Sequence, residues 1–131
     1  MAIQSACPEV AQWTTRDYAR VVQGDMAGLV ADEESEVVGF IVARRVSNDL
    51  EILNFAVRPD SRRRGIGAAL LCETLAWGAT FSAEKGFLEV RASNLAALRF
   101  YERHGFEVTG RRPRYYASPI EDALVLTARM T

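Results

Sequence analysis

A chain of 131 residues, 49% hydrophobic and 25% charged, is the size of one ordinary domain with its own core, and residues 1–131 are read as that single domain. Its 16 Lys plus Arg against 17 Asp plus Glu leave a formal net charge of -1, which argues against a general nucleic-acid or anionic-membrane binder. No stretch approaches the roughly 20 apolar residues of a membrane span, and the N-terminus lacks the basic start and apolar run of a secretory leader. The two cysteines, Cys7 and Cys72, match no metal-ligand spacing. The expectation is a cytoplasmic protein with reduced thiols and no metal.

In chain order, Thr14 or Thr15 is placed to cap a short helix over 16–22, which Gly24 ends. Residues 28–32, 37–46 and 50–57 read as antiparallel strands of a meander, with Ser47-Asn48-Asp49 as a turn. Arg58-Pro59 ends the third, because proline keeps its predecessor extended and cannot donate to a ladder. A helix is expected from about 65 to 82. Ile66, Leu70, Trp77 and Phe81 fall on one side of it, with Leu71 and Leu75 widening the stripe, and Lys85-Gly86 closing it. Residues 87–90 form a short strand, Ser93-Asn94 caps a second helix over 95–104, and Gly105 ends that helix. Residues 106–109 and 123–130 close the domain as strands. The pattern is an α/β (α+β) domain with a mixed sheet.

The turn Arg62-Arg63-Arg64-Gly65-Ile66-Gly67-Ala68 sits between a strand and a long helix. Backbone N–H groups at such a turn point at an anion, the helix dipole adds positive potential, and flanking arginines add charge-assisted donors. Taken locally, the pattern also fits a solvated basic turn whose glycines serve only packing. It is not a P-loop, since no Gly-Lys-Ser or Gly-Lys-Thr follows, nor a Rossmann fingerprint, whose third glycine is replaced by Leu70. His104, the only histidine, lies at a helix C-terminus and is read as a cap without catalytic role.

Arg62-x-x-Gly65-x-Gly67, following Asn54 to Pro59, resembles the Arg/Gln-x-x-Gly-x-Gly/Ala signature of the GNAT superfamily of N-acetyltransferases. Leu88 to Asn94, Ala97 to Phe106, and Arg111 to Tyr116 before Glu121-Asp122-Ala123 are similar to a narrower group, the ribosomal-protein-alanine N-acetyltransferases of the RimI type. The resemblance implies a mostly antiparallel sheet flanked by helices, with acetyl-CoA as co-substrate. The backbone of Phe55, Ala56 and Val57 would hold the pantetheine arm, residues 63–68 the diphosphate, and Asn94 a further contact. Main-chain roles at 55–57 would make side-chain substitutions there poor tests.

Glu89 matches the family's general base and Tyr101 its general acid. Glu89 stands in an apolar strand, where partial desolvation favours proton acceptance, although an outward glutamate paired with Arg91 fits the local pattern equally. Tyr115 and Tyr116 match a loop lying over the acceptor, so the resemblance implies a ribosomal protein N-terminus, or another amine, as partner. A monomer or weak dimer is expected. An α-amine is also easier to deprotonate than a lysine, by about 2.5 pH units or roughly 3.5 kcal/mol. A small-molecule amine, a protein lysine, or a non-catalytic acyl-CoA-binding module are the alternatives. Members of the family begin with a strand and a full helix; here the first strand is expected to be missing, leaving that sheet edge open or completed by a partner.

Overall fold

The computed structural model describes residues 17–33, 36–59 and 65–130. Among these, the elements follow in the order β1 (Asp17–Gln23), β2 (Met26–Glu33), β3 (Glu36–Val46), β4 (Asp49–Val57), α1 (Ile66–Thr80), β5 (Lys85–Arg91), α2 (Leu95–Arg103), β6 (Glu107–Ala117) and β7 (Ile120–Arg129). The strands make one sheet, ordered β1-β2-β3-β4-β5-β7-β6. Every pair is antiparallel apart from the parallel pair β4 and β5. This is the mixed α/β sheet that the sequence predicts.

Four local expectations need correction. The helix expected over 16–22 is, for its described part, strand β1. Gly24 at φ 61 turns the chain so that Gln23 pairs with Met26 and Asp17 with Asp32. Tyr18, Val21 and Val22 are strand formers, and pairing with β2 overrides the weak helical signal. The same strand fills the sheet edge that was expected to be open. Thr14, Thr15 and Arg16 lie outside the described residues. Lys85 and Gly86 open β5 instead of closing α1, which ends at Thr80. β6 runs on to Ala117, so Tyr115 and Tyr116 stand on a strand and not on a free loop.

The core lies between the sheet and α1, which packs on β2, β3 and β4. Leu29, Ile41 and Leu50 of the sheet and Ile66, Leu70, Leu71 and Leu75 of the helix are fully buried. Ala69, Cys72, Thr74 and Trp77 are buried as well, so α1 is enclosed on more than the one stripe its sequence suggests. Thr74 Oγ1 meets its need for a partner by donating to Leu70 O at 2.8 Å. Cys72 is disulfide-bonded, against the expectation of reduced thiols; Cys7 lies outside the described residues. Among those residues no helix is long and apolar enough to cross a membrane, and no cluster of potential metal ligands occurs.

One irregularity interrupts the regular pleat of the sheet. Val42 pairs with Asn54 but Ala43 pairs with Ile52, leaving Leu53 as an extra residue in β4. Such a bulge bends its strand. It also swaps the side-chain parity: Leu50 and Ile52 face the core before it, Phe55 and Val57 after it.

Candidate active site

β4 and β5 run side by side only from Asp49 and Lys85 to Glu51 and Phe87. Beyond that point, next to the Leu53 bulge, the two strands part. A cleft of about 710 Å³ borders the opening, lined by Phe55, Ala56 and Val57 of β4, Gly65, Gly67 and Ala68 at the start of α1, and Asn94, Phe100 and Tyr101 of α2.

The start of α1 leaves backbone donors open toward the cleft. The first intrahelical bond runs from Ala69 N to Gly65 O at 3.0 Å, so the amides of residues 66–68 have no partner within the helix. Among the described residues no side chain caps this end, and its first turn holds no acidic residue. Gly65 sits at φ 79, the left-handed region that favours glycine. A Cβ on Gly67 would stand 3.3 Å from Phe100 Cε1, so its absence keeps the cleft floor clear. Ile66 sends its side chain into the core at 1% exposure and offers the cleft only its backbone.

Arg62, Arg63 and Arg64 lie outside the described residues. The structure adds two cations absent from the sequence-based site: Arg99 and Arg103 also line the cleft. They are four residues apart on α2 and so share a face, which is the signal that would have found them. Together with the open amides, they fit a ligand carrying several phosphate charges.

Tyr101 is the hub of the apolar wall. It is 6% exposed, and its ring meets Phe55, Phe100 and Phe106 at 6.2, 5.3 and 5.4 Å between centroids. Burial pushes its phenol far above the usual range, so it keeps its proton near neutral pH and stands as a donor. Phe55 is thus more than backbone, because its ring braces Phe100 at 5.6 Å as well as Tyr101. Asn94 is an N-cap, its Oδ1 accepting from Ala97 N at 3.1 Å, and it borders the cleft from that position. His104 caps the other end of α2, its Nδ1 lying 2.8 Å from Phe100 O.

Glu89 approaches from the other side. Leu88 is buried in the core, and alternation along β5 points Glu89 to the reverse face of the sheet. Its expected neighbour Arg91 pairs instead with Glu121 at 3.3 Å. Glu89 has Arg112 Nε 3.0 Å from its Oε2. That oxygen is buried yet receives no hydrogen bond from the described residues, so the arginine supplies charge without a well-aimed N–H. Around it, Tyr116 lies under the Arg91 guanidinium at 4.1 Å, and Tyr115 meets Tyr116 edge-on at 5.2 Å. Burial, and then the charge of Glu89, raise the Tyr116 phenol.

The tyrosines reach this face because β6 bulges. Arg112 pairs with Ala123 and Tyr116 with Glu121, leaving 113–115 arched out of the ladder. Asp122 pins the arch, accepting from Arg114 N at 2.9 Å and from Arg111 Nη1. Glu121 anchors its base by accepting from Ser93 N at 2.6 Å. Hydrogen bonds from Ser93 hold the Glu121 carboxyl below its ordinary value, and those from Arg114 and Arg111 do the same for Asp122.

Residues 3–106 match the acetyltransferase (GNAT) family. The chain belongs to that family. It is 37% identical over 100 residues to the [ribosomal protein bS18]-alanine N-acetyltransferase of Salmonella typhimurium, an alignment covering 75% of this chain and 66% of that one. The crystal structure of the Escherichia coli ribosomal-protein-S18-alanine N-acetyltransferase superposes with a TM-score of 0.75 at 26% identity, over 98% of this chain and 88% of that one. A GNAT family acetyltransferase from Elizabethkingia anophelis, solved with acetyl-CoA bound, gives 0.77 at 18% identity, over 88% and 99%. At that identity the likeness speaks for the fold alone. Acetyl-CoA is the co-substrate of this acetyltransferase family, and the open amides, the Gly67 floor and the cationic rim suit its phosphates.

Proposed function

We propose that this acetyltransferase acetylates the α-amine of a protein N-terminus, with alanine of a ribosomal protein as the acceptor to test first. The observation that carries the reading is the placement of Glu89 and Tyr101 on opposite faces of the opening between β4 and β5. Acetyl-CoA supplies the activated acyl group. The amides of 66–68 with Arg99 and Arg103 hold its phosphates, and Phe55 to Val57 align its arm. Glu89, reached from the reverse face, takes the proton that the amine loses. Tyr101, buried and protonated, hands a proton to the departing sulfur. Tyr115 and Tyr116 bound the approach to Glu89, and their arch gives an extended peptide something to lie against.

A cytoplasmic location belongs to this reading, since ribosomal proteins are made there, and the Cys72 disulfide is the observation that counts against it. The relative from Salmonella typhimurium bears the same activity in its name, which supports the choice of acceptor.

Mixing the protein with acetyl-CoA and a peptide beginning with alanine should release CoA thiol, with acetate found on the α-nitrogen by mass spectrometry. Preference for a free polyamine or an internal lysine over every N-terminal peptide would overturn the acceptor while leaving the co-substrate in place.

A further inference from the structure

The contact between Arg112 and Glu89 is an odd one. Glu89 Oε2 is buried and has no hydrogen-bond donor, although a guanidinium nitrogen stands 3.0 Å away. Leaving a buried carboxylate oxygen without a donor is costly, so a ligand N–H that is better aimed would replace Arg112 at little loss. The arginine is itself built to leave. Its side chain is 59% exposed, it is the last paired residue before the 113–115 arch, and its guanidinium lies 5.5 Å from the centroid of the half-exposed Tyr115 ring. A cation stacked on an aromatic face keeps a resting place after it lets go of the carboxylate.

We infer that Arg112 is a guard on Glu89: it covers the carboxylate until an acceptor amine displaces it, and so suppresses hydrolysis of acetyl-CoA in the acceptor's absence. The inference rests on Glu89 being the base. An uncovered Glu89 would be open to water and would serve it as general base, a harder deprotonation than that of an α-ammonium but the one on offer when no acceptor is bound. The water oxygen would bond to the thioester carbonyl carbon, the carbon–sulfur bond would break, and the thiolate would take the Tyr101 proton, giving acetate and free CoA. Arg112 itself touches neither acetyl-CoA nor the amine; it is a positioning residue whose effect is read in the ratio of hydrolysis to transfer.

The test measures acetate and CoA thiol released from acetyl-CoA with no acceptor present. Arg112→Met should raise that rate about tenfold or more, within the range an accessible general base supplies. Arg112→Lys should stay near the native rate, and Arg112→Met combined with Glu89→Gln should fall back to it. Tyr115→Ala, which removes the resting place but leaves the ion pair, should leave hydrolysis at or below the native rate and slow transfer to a peptide amine; Arg112→Gln serves if Arg112→Met does not fold. A native hydrolysis rate in folded Arg112→Met or Arg112→Gln, or a raised one in Tyr115→Ala, would overturn the inference. Glu89→Gln alone separates the two ideas: retained peptide acetylation removes the base, whereas lost acetylation with unchanged Arg112→Met hydrolysis removes only the guard.

Discussion

On the α1 and α2 side of the parted strands, the polar groups offered to a ligand are main-chain amides, two arginines and a buried phenol; on the reverse side they are side chains half open to solvent. The first set is fixed by helix geometry and by an aromatic cluster, as with Tyr101 between Phe55, Phe100 and Phe106. The second depends on a strand that leaves its ladder for three residues and is tied down by Asp122 and Glu121. A rigid wall suits a ligand common to a family, and a pinned arch suits an acceptor that differs among its members. The division implies that damage on the two sides should be separable.

The largest effect expected is from Glu89→Gln, which should lower kcat/KM for a peptide amine by about 10²- to 10⁴-fold while calorimetry shows acetyl-CoA affinity unchanged. Loss of acetyl-CoA binding in that variant would erase the distinction between the faces. Tyr101→Phe keeps the ring and drops the donor, so kcat should fall about a hundredfold with the thermal midpoint preserved. Gly67→Val drives a branched side chain toward Phe100 and should cost about 1–3 kcal/mol; denaturant titration reads that loss, and weaker acetyl-CoA binding should accompany it. Asn94→Ala removes one cap and should cost about 1 kcal/mol of helix stability, visible as a lower thermal midpoint.

Acidification gives the mildest test. Glu121 and Asp122 are held below their ordinary values of 4.5 and 3.8 by the hydrogen bonds they accept. A lowered folded value means the stabilisation is complete above the ordinary value and is lost as pH falls through the folded one. Tyrosine fluorescence from the arch should therefore hold steady from neutral pH down to about 5 and change only below the ordinary carboxylate values. A change near pH 6 would show that other groups hold the arch.

The α1 and α2 side is the more legible in sequence because its signals are local. Gly65 and Gly67 announce a turn that other residues resist, and Asn94 announces a helix start. The reverse side depends on pairings between distant residues. Nothing near Glu89 in sequence points to Arg112, and Arg91, the obvious neighbour, is engaged by Glu121. The 16–22 segment misleads for a related reason, since a short ambiguous run takes the structure its partner strand imposes. Arg99 and Arg103 are within reach of the sequence, being four apart on the same helix as Tyr101.

Leu53 has a significance out of proportion to its half-exposed side chain. Inserted between Ile52 and Asn54, it acts as a one-residue frameshift written into the pleat. Were Leu53 drawn into the ladder in strict alternation, Asn54 and Ala56 would turn inward and Phe55 would leave the ring cluster. The chain would keep a sheet of the same strands yet lose the brace for Tyr101. How one surplus residue is absorbed, bulged out or drawn into the ladder, thus decides which side chains of β4 brace Tyr101.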